Sequence, residues 1–191
     1  MNLILSNLTK NFGDVPVLSH VNATFAAGET VCIMAPSGAG KTTLIHLLLG
    51  LLEPDDGTID GRQNARFSCA FQEDRLILQL SAVQNLKFAC GALSDNVLSG
   101  AFAALRLFGE TLTKPVALLS GGEQRRIALL RAMLAPADIV LLDEPFKGLD
   151  DAHRAAAAAF VTAQKRGRTV LCITHDDTDA AALGARIWKL P

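Results

Sequence analysis

The stretch from Glu29 to Leu52 constrains this chain more than any other. A short apolar run, Glu29 to Ala35, passes into Ala35-Pro36-Ser37-Gly38-Ala39-Gly40-Lys41-Thr42, and the Leu-rich segment Thr42 to Leu52 carries no breaker until Gly50. That order predicts a strand, a loop and a helix. Gly38 and Gly40 let backbone N–H groups close around phosphate oxygens, and the helix that follows adds unpaired N–H groups and the positive end of its dipole. Lys41 is placed to neutralise β and γ phosphates. Thr42, with Thr43 beside it, offers a hydroxyl to Mg²⁺. The pattern usually opens on Gly, whereas Ala35 adds a Cβ that narrows the permitted backbone angles.

Around this unit the chain alternates. Residues 2–9 and 17–25 show partial apolar and polar alternation about a turn cluster at Gly13 to Pro16, the pattern of antiparallel strands. Turn residues at Pro54 to Gly57 precede expected strands near Thr58 to Asp60 and Arg66 to Phe71. From 73 to 118 the spacing becomes helical: Leu98, Phe102 and Leu105 recur at helix intervals, as do Ala101, Leu105 and Phe108. This segment is expected to form a small helical subdomain within a single domain of residues 1–191. A long helix over about Gly122 to Leu134, a buried strand at Ile139 to Leu142, a helix through 152–166 and a strand at Thr169 to Thr174 complete the pattern. It implies an α/β fold with a mostly parallel sheet covered on both faces.

Composition removes several alternatives. With 18 Lys plus Arg against 19 Asp plus Glu, the net charge of -1 gives no electrostatic reason to expect nucleic acid. Half the residues are hydrophobic and mean hydropathy is +0.29, yet the longest apolar stretches, such as Leu47 to Leu52, fall far short of a bilayer span. The amino terminus lacks the basic start and apolar core of a signal peptide, so the chain is expected to stay in the cytoplasm. Cys32, Cys69, Cys90 and Cys172 lack the paired spacing of a zinc or redox site. They read as small core residues, and a reducing compartment makes disulfides unnecessary.

A second acidic feature belongs with the loop. Ile139-Val140-Leu141-Leu142-Asp143-Glu144 is an apolar strand that ends in two carboxylates. A buried parallel strand delivers such a pair to the sheet edge where the phosphate loop also emerges. Asp143 would hold Mg²⁺ directly or through water, and Glu144 would serve as general base for an attacking water. Either acid alone could be a solvated turn residue.

Leu119-Ser120-Gly121-Gly122-Glu123-Gln124 resembles the signature motif of the ABC ATPases, a family of P-loop NTPase cassettes. In physical terms it is a helix start: Ser120 with Glu123 makes a capping box, and the Gly121 and Gly122 backbone leaves donors for an anion. The resemblance runs from Phe12 to His175. Phe12 matches the adenine-stacking aromatic, with a core Phe as the other reading. Gln72 matches a glutamine that reaches Mg²⁺ and the attacking water. Gly148-Leu149-Asp150 matches a loop lining the dimer interface, although Lys147 stands where a small residue is common. His175 matches a switch histidine on the γ-phosphate, a position where neutral imidazole can both donate and accept.

What the resemblance implies is an ATPase that uses ATP and Mg²⁺, with Glu144, Gln72 and His175 in the catalytic set. Two cassettes pair head to tail, so Ser120 and Gly122 act on the partner's nucleotide. Closure drives integral membrane permease subunits, which this chain does not contain, from the cytoplasmic face of the cell membrane. Phe71 to Leu76 looks like the corresponding segment in importers of the nitrate, sulfonate and taurine group, which would add a solute-binding protein. The chain stops shortly after Trp188, which suggests no C-terminal regulatory domain. An ABC ATPase of another system, such as an exporter, lipoprotein-release or DNA-repair subunit, and a degenerate cassette that binds ATP without turnover are the alternatives the sequence leaves open.

Overall fold

The computed structural model describes residues 2–36 and 38–191. The chain opens with β1 (Leu3–Phe12) and β2 (Val15–Phe25), an antiparallel hairpin in which Phe12 pairs with Val15. The later strand β4 (Asp56–Asp60) joins β1 antiparallel on its other side, giving a three-stranded sheet in the order β2-β1-β4. Between these elements come β3 (Thr30–Met34) and α1 (Lys41–Leu48).

The second sheet is built from β3, β5 (Phe67–Ala70), β6 (Ile139–Asp143), β7 (Thr169–Ile173) and β8 (Arg186–Lys189) in the order β5-β6-β7-β3-β8. All four pairings in it are parallel. Helices α2 (Ala82–Cys90), α3 (Asp95–Ala104), α4 (Gly121–Leu134), α5 (Asp151–Gln164) and α6 (Asp177–Leu183) connect the later strands.

Every residue of β3, β6 and β7 is buried, because the period-two alternation of each strand feeds two cores. Cys32, Val140, Leu142, Val170 and Cys172 face one side, with α2, α3, α4 and α5. Val31, Ile33, Ile139, Leu141, Leu171 and Ile173 face the other, with α1 and the inner residues of the antiparallel sheet. Helix α1 is thus pressed between two sheets, and Leu44, Ile45, Leu47 and Leu48 are all buried. That packing fixes the loop at its N-terminus.

Three boundaries differ from the sequence reading. Helix α1 stops at Leu48 rather than Leu52: Gly50 turns left-handed at φ 69°, and the Leu51 and Leu52 N–H groups both return to the His46 carbonyl. In the 73–118 segment, residues before Ser81 are irregular, and the first helix waits for the Ser81 capping box with Gln84. The spacing that included Phe108 fails because the chain leaves α3 at Leu105 and takes φ 53° at Arg106, so Phe108 is exposed while Leu105 and Leu107 are buried. The sequence reading also lacked α6 and β8. The four cysteines are free; Cys32 and Cys172 are buried cross-strand partners, and Cys69 and Cys90 are half-buried.

Candidate functional site

Because the second sheet is parallel, the C-terminal ends of β3, β7, β6 and β5 lie side by side, and the residues that follow them meet at one edge. They surround a cavity of about 590 Å³, within the range of small-molecule sites. After β3 come Ala35, Gly38, Gly40, Lys41, Thr42 and Thr43; after β5, Gln72; at the end of β6, Asp143 and Glu144; after β7, His175. Ser37 lies outside the described residues. Ala39 occupies the turn of the same loop, its N–H donating to the Pro36 carbonyl at 3.3 Å.

The loop's geometry explains its glycines and its alanine. Gly38 and Gly40 both have φ 83°, a left-handed conformation that favours glycine. At Gly40 space is short as well: a Cβ would come within 2.9 Å of Leu18 Cδ2 and 3.0 Å of the Val17 carbonyl oxygen on β2. Ala35 carries no positive φ, so the departure from Gly at that position is accommodated. The Lys41 ammonium donates to the Ala35 and Pro36 carbonyls at 2.7 and 2.8 Å, arching over the loop.

The paired carboxylates differ in environment. Asp143 is buried, and burial with the neighbouring Glu144 charge pushes its pKa up, against the pull of the Gln72 backbone, Lys41 and Arg125. Burial opposes ionisation of Glu144 too, but Lys147 and His175 outweigh it and hold its pKa below the ordinary value. Lys147 Nζ stands 2.8 Å from Glu144 Oε2, within ion-pair distance but out of line for a directed hydrogen bond. His175 Nδ1 stands 3.3 Å from Oε1. Glu144 has φ 47°, a backbone conformation that costs a non-glycine residue about 1–2 kcal/mol; its N–H is fixed by the Ile173 carbonyl at 2.8 Å. His175 is in turn set by its neighbours: the Thr174 hydroxyl donates to Asp179 at 2.6 Å and accepts from the Asp176 N–H at 3.1 Å.

The remaining expected site residues lie outside the cavity wall. Phe12 is half exposed at the end of β1, with Lys10 Nζ 5.9 Å from its ring centroid, so the core-Phe reading is overturned. Ser120 is the N-cap of α4 and forms the anticipated capping box: its hydroxyl accepts from the Glu123 N–H at 3.3 Å, and the Glu123 carboxylate accepts from the Ser120 N–H at 2.9 Å. Gly121 is exposed, and Gly122 faces Leu149. Asp150 caps α5 through the His153 N–H and pairs with the His153 ring at 2.8 Å; these contacts lower its pKa.

Two wall residues were not foreseen. Val17 reaches the cavity from β2, a consequence of the sheet-on-helix packing that no local motif encodes. Lys147 was legible only as an unusual interface residue, yet its spacing from Glu144 on a tight turn brings the charges together.

A parallel sheet with a phosphate loop between β3 and a helix, and an acidic pair at the end of β6, one strand removed from β3, defines a phosphate-loop nucleotide hydrolase. The family profile described as ABC transporter matches residues 18–147, and the chain belongs to that family. It is an ATPase cassette. Aliphatic sulfonates import ATP-binding protein SsuB 1 of Nocardia farcinica is 38% identical, with 97% of this chain and 76% of that protein covered. SsuB 3 of Rhodococcus jostii is 37% identical, with 97% and 70% covered. These relatives bear out the resemblance to the sulfonate-importer group. Among solved structures, the dimeric bacterial ABC transporter cassette MJ0796 superposes with a TM-score of 0.84 at 28% identity over 98% of this chain and 94% of that one. The same cassette in a post-hydrolysis state bound to ADP and Pi aligns equally well. Among the described residues no helix is long and apolar enough to cross a membrane.

Proposed function

We propose that this chain is the ATP-hydrolysing subunit of an importer, with aliphatic sulfonates as the substrate class. It works as one cassette of residues 1–191 in which 73–118 is a helical subdomain. Two cassettes close head to tail on ATP at the cytoplasmic face of the membrane and drive separate permease subunits, to which a solute-binding protein delivers the substrate. The observation that carries this reading is the single cavity in which Lys41, Thr42, Gln72, Asp143, Glu144 and His175 converge from four adjacent parallel strands. The sulfonate and import assignments rest on the relatives' names.

In this reading the loop from Ser37 to Thr43 wraps the phosphates and Lys41 moves from the loop carbonyls to the β and γ phosphates. Phe12, exposed beside the hairpin, stacks on adenine. Glu144 takes the proton of the attacking water, and His175 and Gln72 hold the γ-phosphate and that water in line. The donor set fits Mg²⁺: a buried carboxylate whose ionisation is disfavoured without a cation, beside the Thr42 hydroxyl and Gln72. Bound there, the ion would neutralise phosphate charge. Ser120, Gly121, Gly122 and Asp150 lie outside the cavity wall, at the N-terminal ends of α4 and α5, and in this reading they act on the nucleotide of a second cassette.

Phosphate release by the purified protein with Mg-ATP, beside Glu144→Gln, tests this reading together with size exclusion of the mutant in ATP. Turnover lost in the mutant while ATP traps a dimer is expected. No turnover and no ATP-dependent dimer, with candidate permeases present, would sink it.

A further inference from the structure

The loop that carries Gln72 is not self-supporting. Between β5 and Ser81 it has no helix or strand of its own, yet its carbonyls are claimed by two arginines of α4. Arg125 Nη1 donates to the Phe71 carbonyl at 3.0 Å and Nη2 to the Gln72 carbonyl at 2.6 Å. The Asp74 carboxylate, 3.0 Å from Nη1, serves as counter-ion for an arginine whose side chain is only 14% exposed. Further along the helix Arg131 donates to the Asp74 carbonyl at 2.8 Å and the Arg75 carbonyl at 2.6 Å. The loop also folds on itself: Arg75 has φ 46° and its guanidinium stacks 3.8 Å from the centre of the Phe71 ring.

A guanidinium is a rigid planar fork, so capturing two successive carbonyls fixes the two peptide planes that flank the residue between them, whereas an ammonium that reaches two carbonyls, as Lys41 does, holds them through one freely rotating nitrogen. Here those planes flank the Gln72 Cα. The fork therefore sets where the Gln72 side chain starts and how far it reaches along the cavity wall. Arg125 lies just inside the start of α4, the helix whose first residues follow Ser120. Helix α4 thus carries the Ser120-Gly121-Gly122 motif at its tip and holds Gln72 by a rigid contact immediately behind.

We propose that Arg125 is a positioning residue for Gln72, fixing the loop in the orientation needed for hydrolysis and passing displacements of α4 to it. The inference rests on the proposed role of Gln72 in turnover. It predicts a loss in kcat without a loss in nucleotide binding, and a loss that exists only while Gln72 is present.

The experiment is a double-mutant cycle with Arg125→Met and Gln72→Ala, reading kcat, KM for ATP and melting temperature. Arg125→Met should lower kcat about tenfold, the scale of a misplaced reacting geometry, with KM within about twofold. Arg125→Lys, which keeps the charge but has a single rotating nitrogen in place of the fork, should recover only part of the loss. If the methionine variant does not fold, Arg125→Lys reads the same cycle. In the Gln72→Ala background either substitution should change kcat by less than about twofold. Losses that multiply in full while Gln72→Ala is itself impaired would overturn this proposal alone. A Gln72→Ala protein that turns over at the wild-type rate would remove the assigned role of Gln72, and this inference with it.

Discussion

Lys147 and Glu144 form an ion pair at the cavity wall, ammonium to Oε2 at 2.8 Å, while His175 occupies the side of Oε1 at 3.3 Å. Both oxygens of the proposed base are therefore engaged, and the lysine also makes the carboxylate a weaker proton acceptor. The lysine side chain is 53% exposed, so the pair is worth only about 0.2–1 kcal/mol. Lys147→Ala is expected to raise kcat by the corresponding factor, about 1.5- to 5-fold. Lys147→Arg, with a fork that can hold both oxygens, is expected to lower it. Phosphate release at saturating Mg-ATP checks both, and a slower alanine variant would show that the lysine aids hydrolysis rather than restraining it.

Gly40 and Ala35 make opposite predictions within one loop. Gly40→Ala meets both a left-handed backbone and a Cβ contact of 2.9 Å with Leu18, against β2. It should cost about 1–3 kcal/mol of stability and abolish ATP binding. Ala35→Gly should leave ATP affinity within about twofold, because nothing at that position requires glycine. Titration with a fluorescent ATP analogue and thermal melts separate the two. A large gain in affinity for Ala35→Gly would reopen the degenerate-cassette reading.

The motifs were legible because each is local: a phosphate loop, an acidic strand end and a capping box are all written in consecutive residues, and among the described residues Asp143 ends β6 and Ser120 caps α4. What escaped was set by tertiary packing. Strand β8 is a four-residue edge strand, Arg-Ile-Trp-Lys, in which all but Trp188 are exposed and whose only strand partner among the described residues is β3, so it has neither the length nor the apolar run of a buried strand. Phe108 kept helical spacing in sequence but followed a left-handed Arg106 that no periodicity reveals. The Arg125 fork was equally hidden, since α4 and the Gln72 loop are distant in sequence and the guanidinium bonds backbone rather than a matching side chain.

Asp176 gives the acid limb of stability a specific origin. Its carboxylate accepts from the Thr178 hydroxyl at 2.6 Å and N–H at 2.9 Å and from Arg154 at 2.7 Å, contacts that lower its pKa from 3.8 to about 2. A folded-state pKa below the unfolded one means the unfolded chain binds the proton more readily. The contribution is therefore present above about pH 4 and is lost as pH falls towards about 2. Asp176→Asn keeps an N-cap while removing the charge. The difference in urea midpoint between wild type and mutant should shrink from pH 5 to pH 2.5, and a constant difference across that range would refute the assignment.

Phe12 separates binding from folding most cleanly. A ring 51% exposed at the end of β1 contributes little to the core, so Phe12→Ala should shift stability by less than about 0.5 kcal/mol. Stacking of a base on an aromatic ring is worth about 1 kcal/mol or more, so the same substitution should raise KM for ATP at least about fivefold. Phe12→Trp keeps the stacking surface and should hold KM near the wild-type value. It also places an indole far in sequence from Trp188, which stacks edge-on against Phe25 at 5.4 Å, so quenching on ATP addition can be assigned by comparison with the wild type. A fallen melting temperature with unchanged KM in the alanine variant would make the ring a structural residue of the hairpin and leave adenine to be held by other groups.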